Sequence, residues 1–183
     1  GKLYGNPHAK LQIGDVLLVT QNNYLVPLTN GDFVEVSALG ASQTEANLQF
    51  QSVRVKHITT DKEYEILLAL DVLSCNHANL TQEQQRGLMI NFSNKMRKKK
   101  IGANSMAYKE HMKTDPYLNS LRATFGYAVT CHKSQGGQWP FVFIDMGFVK
   151  EEDLNDNFYR WLYTAITRSR EKVILVNFAE QLF

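Results

Sequence analysis

The stretch Thr130-Cys131-His132-Lys133-Ser134-Gln135-Gly136-Gly137-Gln138-Trp139 crowds a hydroxyl, an imidazole, an ammonium, amides and two glycines into one segment. The hydroxyl of Thr130 and the imidazole of His132 can donate to a phosphate without reading a base, and Lys133 adds positive charge. Ser134 and Gln135 supply further polar contacts. Gly136 and Gly137 let the backbone approach a ligand closely where a Cβ would obstruct. Some twenty residues further on, Arg160 to Arg170 reads as a helix with Trp161, Leu162, Ala165 and Ile166 at core spacing. Core packing explains those apolar members. It does not explain Arg168, whose planar guanidinium suits phosphate oxygens better than an ammonium would.

These residues need a frame. Phe125 to Val129 and Phe141 to Ile144 flank the polar stretch and predict strand, turn, strand; the helix follows, and Val173 to Val176 supplies another strand. The result is a β-turn-β-α-β half of a nucleotide-binding sheet. Upstream, Ile13 to Thr20 reads as a turn and a buried strand, and Thr29-Asn30-Gly31-Asp32 as a turn before Phe33 to Val36, so two Gly-Asp turns frame a hairpin-like pair. Gly40 to Asn47 is small and polar and predicts a loop. Phe50, Val53, Val55 and Ile58 mark a half-exposed strand, and Tyr64 to Leu73 a long one. Thr81-Gln82-Glu83-Gln84 is a capping box opening a helix over about 82–98. Its end is basic (Lys95, Arg97, Lys98, Lys99, Lys100), which fits either a phosphate-facing patch or cations complementing a helix C-terminus. A shorter helix is expected from Ser105 to Lys113, stopping before Pro116.

His132-Lys133-Ser134-Gln135-Gly136 followed by Tyr163-Thr164-Ala165-Ile166-Thr167-Arg168 resembles motifs V and VI of superfamily 1 DNA helicases, in particular the RecD-like branch and the UvrD-like helicase C-terminal domain. The Gly-Asp strand, the Asn22-Asn23 pair and the Asn-Gly-Asp turn are similar to that branch as well. The resemblance implies an α/β fold: a second RecA-like half-domain with an inserted small SH3-like β-barrel and helices. Its divisions would be 1–33 (start of the RecA-like domain), 34–75 (barrel), 76–120 (helical) and 121–183 (the remainder, with both motifs). It implies DNA-binding roles for Thr130, His132, Lys133, Ser134 and Gln135, and nucleotide-binding roles for Gly136, Gly137, Gln138 and Arg168. Arg168 would be the catalytic arginine that reaches the γ-phosphate. The related helicases usually carry Glu where this chain has Gln138, so an acceptor for the ribose is kept and the charge lost.

No Gly-x-x-x-x-Gly-Lys-Ser/Thr occurs in the sequence, so no phosphate-cradling P-loop is expected, nor a Walker B carboxylate. The resemblance therefore implies a C-terminal fragment of an ATP-dependent, 5′ to 3′ helicase. Its partners would be single-stranded DNA and the N-terminal RecA-like domain of the same polypeptide. ATP and Mg²⁺ would be cofactors of that parent, with none bound by the fragment alone and no metal site. A stand-alone nucleic-acid-binding module without ATP chemistry is the alternative. A thiol hydrolase built on Cys131 and His132 is disfavoured, because neighbours on an extended strand point to opposite faces.

Composition sets the outer limits. At 183 residues, 44% hydrophobic and 21% charged, the chain reads as ordinary globular protein, neither disordered nor coiled coil. A net charge of +2 confines any nucleic-acid surface to a local patch. Cys75 and Cys131 lack metal spacing, so a reducing compartment is expected. No apolar run approaches the ~20 residues that span a bilayer, and the N-terminus lacks a signal pattern, so the expectation is a cytoplasmic protein without membrane contact.

Overall fold

Backbone pairing in the computed structural model, which describes residues 11–73, 79–135, 137–147, 149 and 153–178, follows from where apolar residues alternate and where turns admit a left-handed residue. The fold is mixed α/β. It divides into two compact units, the first ending at Tyr127 and the second beginning at Ala128.

The first unit is built on five strands, β1 (Val16–Val19), β2 (Phe33–Glu45), β3 (Leu48–His57), β4 (Glu63–Ala69) and β5 (Ala123–Phe125). They lie in the order β4-β3-β2-β1-β5 with every pairing antiparallel. A parallel bridge from Leu68 to Leu121, just ahead of β5, brings the two outer strands together, so the sheet curls into a small, partly closed barrel. Leu17, Val19, Val34, Val36, Val55 and Leu68 line its interior and are fully buried. The expected hairpin forms, with Leu17 opposite Val34. Asp32 holds its turn by accepting from the Thr29 amide (2.7 Å) and hydroxyl (3.0 Å), while Gly31 at φ +100° takes a conformation few other residues tolerate.

Two local expectations are corrected. Gly40 to Glu45 is not loop but the far half of β2, because Ala46 (φ 50°) and Asn47 (φ 62°) make a two-residue left-handed turn that pairs Glu45 with Leu48. Its residues are mostly exposed on the extended hairpin, so small polar side chains are tolerated. The long strand expected to reach Leu73 stops at Ala69, and Leu70–Leu73 forms a helical turn, α1. Val16–Val19 pairs with β2 and β5, so the five-stranded sheet draws its strands from residues 16 to 125.

Helix α2 (Gln82–Lys98) carries the predicted capping box: Thr81 Oγ1 accepts from the Gln84 amide (3.2 Å) and Gln84 Oε1 from the Thr81 amide (2.8 Å). At its basic end Lys95 is paired with Glu45 and lies 4.8 Å from the Tyr117 ring centre. Arg97 to Lys100 are exposed without an ion pair among the described residues. Helix α3 (Met106–Thr114) is capped by Ser105. No helix among the described residues is long and apolar enough to cross a membrane.

The second unit is a β-α-β crossover. Strands β6 (Trp139–Asp145) and β7 (Ser169–Val176) pair in parallel, joined by α4 (Asp156–Ile166), whose first amides are capped by Asn155 Oδ1. Val142 and Ile144 alternate along β6 with Phe141 and Phe143, and the latter two are exposed.

Candidate nucleotide and nucleic-acid site

Within the second unit the polar stretch does not continue a strand. β5 ends at Phe125, and Cys131–Ser134 winds into one 3₁₀ turn. The carbonyl of Thr130 accepts from the amides of Lys133 (2.9 Å) and Ser134 (3.1 Å), which tightens the turn. The expected strand-turn-strand is therefore corrected to a 3₁₀ turn followed by β6. The reason is local: Ser134 is buried, and its hydroxyl donates back to the Cys131 carbonyl at 2.7 Å.

That winding sorts the predicted residues. Thr130, His132, Lys133 and Gln135 are exposed, and their side chains hold no hydrogen bond or ion pair among the described residues. They are free to meet a ligand. Ser134, by contrast, is spent on the turn. Gly136 lies outside the described residues. At Gly137 a Cβ would overlap the Trp139 indole, so here a side chain of the same chain makes the close approach. Gln138 is exposed, and its Oε1 accepts from Arg170 Nε at 3.3 Å.

Arg168 lies just past α4 and reaches the polar stretch. Its Nη1 donates to the Gly137 carbonyl (3.4 Å), Nε to the Thr164 carbonyl (3.1 Å) and Nη2 to Thr167 Oγ1 (3.2 Å). The Arg168 carbonyl accepts from the Trp139 amide at 2.9 Å, so backbone and side chain both join the two motifs. Every acceptor of the guanidinium is neutral, and Arg168 forms no ion pair among the described residues, so a surface salt bridge does not account for it. The charge is positioned but not neutralised, as an anion-binding group requires.

Cys131 is not a nucleophile in waiting. Burial pushes its thiol up from the usual range, more than the nearby Arg168 and the Ser134 hydrogen bond pull it down, and Sγ donates to the Trp161 carbonyl at 3.5 Å. The hydrolase reading falls on this ground, since the strand geometry invoked against it is replaced by the 3₁₀ turn. Among the described residues no cluster of histidine, cysteine and carboxylate suits a metal.

Sequence reasoning missed the role of Trp139 as the lid over Gly137 and the pairing of Gln138 with Arg170. Both depend on the register that sets Trp139 opposite Ser169, which no local pattern encodes. Tyr127 was passed over too: its hydroxyl donates to the buried Asp15 at 2.6 Å, tying the residue ahead of the motif to the first Gly-Asp turn.

Residues 125–176 match the UvrD-like helicase C-terminal domain, which supports the superfamily 1 resemblance over the segment that holds both motifs. No curated protein matches the chain. A solved structure of two coordinating Pif1 helicases unwinding forked double-stranded DNA is similar at 15% identity and a TM-score of 0.49, covering 94% of this chain and 29% of that one. The crystal structure of Pif1 helicase from Candida albicans is similar at 14% identity and a TM-score of 0.45, covering 98% and 36%. The chain thus spans about a third of the length of these structures.

Proposed function

We propose that this chain is the C-terminal part of an ATP-dependent DNA helicase of superfamily 1, RecD-like and moving 5′ to 3′. Thr130, His132, Lys133 and Gln135 hold the backbone of single-stranded DNA, and Arg168 with the Gly137-Gln138 segment completes an ATP site. A P-loop domain of the same polypeptide supplies the phosphate cradle and Mg²⁺. The observation that carries this reading is the contact between Arg168 and the Gly137 carbonyl, which brings the two motifs together inside the segment matching a helicase domain.

In this mechanism the γ-phosphate takes the place of the neutral acceptors around Arg168. A guanidinium held by carbonyls exchanges them for phosphate oxygens at little cost, because no carboxylate must be displaced. The exposed donors of the 3₁₀ turn grip phosphates and ignore bases, as a motor that steps along any sequence needs.

The test is Arg168→Ala in the parent enzyme, with DNA-stimulated ATPase measured at saturating nucleotide. By analogy with arginine fingers, kcat should drop roughly 10³-fold or more while DNA binding persists. Turnover within about threefold of wild type, less than ~0.7 kcal/mol of barrier, would sink the assignment. A second reading, a binding module without ATP chemistry, draws on the exposed cations Arg97 to Lys100. It requires salt-sensitive single-strand binding by the chain that survives His132→Ala and Lys133→Ala.

A further inference from the structure

The barrel unit holds a cavity of about 720 Å³, lined wholly by residues of that unit. Its lining includes Arg122 and Ser120, which are buried, and Tyr24 and Lys113, which are exposed. Arg122 is only 6% exposed. Its single side-chain hydrogen bond among the described residues runs from Nη1 to Ser120 Oγ at 2.7 Å. Burial lowers its pKa to about 10, so the guanidinium remains charged at neutral pH. A buried cation is ordinarily paired or fully hydrogen-bonded. Among the described residues most of its donors have no partner, and no carboxylate lines the cavity.

The remaining walls narrow the ligand. Asn23 and Asn119 are locked in place: Asn23 Oδ1 accepts from the amides of Leu25 and Val26, and its Nδ2 donates to the Asn119 carbonyl. The Asn119 amide group in turn donates to the carbonyls of Met112 and Asp115. The cavity is thus preformed, with these polar groups set in a wall that also includes the apolar Leu88, Met112 and Leu118. Tyr24, 81% exposed, offers an aromatic face at its edge. Cavities of this volume take ligands of nucleotide size, larger than a bare phosphate.

We propose that this cavity binds a nucleoside monophosphate unit, with the phosphate on Arg122 and Lys113 and the base stacked on Tyr24. The unit comes from a free nucleotide or from the 5′-phosphorylated end of a strand. This assignment does not rest on the helicase reading, because every residue in it belongs to the barrel unit.

Calorimetry on the 183-residue chain with adenosine 5′-monophosphate, adenosine, inorganic phosphate and a short oligothymidylate, with and without a 5′-phosphate, provides the test. The monophosphate should bind about tenfold or more tightly than adenosine, as loss of a charge-assisted contact predicts. Arg122→Gln should abolish binding. Because that change is buried, Lys113→Ala and Tyr24→Ala serve alongside it, and each should weaken binding about threefold or more without altering thermal unfolding. Binding of the nucleotide in preference to the phosphorylated strand assigns the free nucleotide, and binding of the phosphorylated strand in preference to the nucleotide assigns the terminus. No binding of either at millimolar concentration, or binding indifferent to Lys113→Ala and Tyr24→Ala, overturns the proposal.

Discussion

The two units solve the burial problem to different degrees. In the barrel, strands from both ends of the unit close around side chains such as Leu17, Val34, Val36 and Val55, all fully removed from solvent. In the β-α-β unit the best-buried apolar residues, Ile144, Ala165, Phe158 and Met146, still keep some exposure, and Phe143 on the other face of β6 is 71% exposed. A parallel sheet is normally covered on both faces, and this one has a helix from its own crossover on one. The groups suited to phosphate chemistry therefore sit on the less self-sufficient unit. That is where local opening should be cheapest.

The sharpest way to break this comparison is to delete one ring from each unit. Phe50 packs edge-on against Tyr117 at 5.3 Å and has no exposure, so Phe50→Ala should destabilise the barrel by about 3–5 kcal/mol. Phe143→Ala should stay within about 0.5 kcal/mol. Both tryptophans, Trp139 and Trp161, lie in the second unit. Indole fluorescence therefore follows that unit while far-ultraviolet circular dichroism follows the whole chain, and in urea the fluorescence transition should come first. A cost above about 2 kcal/mol for Phe143→Ala would mean that its face is covered in solution, and the contrast would fail.

A smaller effect tests the link between glycine and lid. The substitution Gly137→Ala places a methyl against the Trp139 ring, which should cost about 1–3 kcal/mol by overpacking. The loss should appear in the fluorescence transition and leave the barrel unchanged. If Gly137→Ala is silent in unfolding but lowers nucleotide affinity in the proposed parent helicase, the glycine serves ligand approach instead.

Legibility in the sequence also differed between the units. The capping box at Thr81, the turn at Gly31, the helix starting at Ser105 and the helix bearing Trp161 were readable, because each rests on contacts within a few residues. The far half of β2 was not, since its exposed polar residues are strand only by virtue of the turn at Ala46-Asn47 and the partner strand beyond it. Val16–Val19 could be read as a buried strand but not assigned to its sheet, because its partner Ala123–Phe125 lies about a hundred residues away. At the candidate site, the residue types carried the expectation of phosphate contact, and the structure adds how the side chains are disposed. The division of labour between exposed Thr130, His132 and Lys133 and the inward Ser134 required the 3₁₀ winding. Arg122 gave no signal, since one arginine between Leu121 and Ala123 looks like any solvent-facing strand residue until its burial is known.

The smallest expected effect lies at the C-terminal end of β6. Asp145 Oδ1 accepts from the Gly147 amide (3.0 Å) and from Asn177 Nδ2 (2.9 Å) beyond the end of β7, so one carboxylate ties the ends of the two parallel strands. The Gly147 amide first, and Asn177 second, hold its carboxyl below the usual range. A carboxylate whose folded pKa is depressed binds its proton more weakly when folded, so its contribution is complete above the unfolded value, about 3.9, and is lost as pH falls through the folded one. The second unit should therefore lose a small increment of stability on acidification through that window, and Asp145→Asn should remove that part of the pH dependence. The carboxylate is exposed to solvent, so salt and water keep the increment small. Following the Asp145 carboxyl and the Asn177 side-chain amide by NMR between about pH 6 and 2 measures it directly. Coincident titration of the two signals below the usual carboxylate range supports the tie. An Asp145 carboxyl titrating at its ordinary value, with no response from Asn177, would leave β6 and β7 joined by their backbone ladder alone and make the second unit looser still than the barrel.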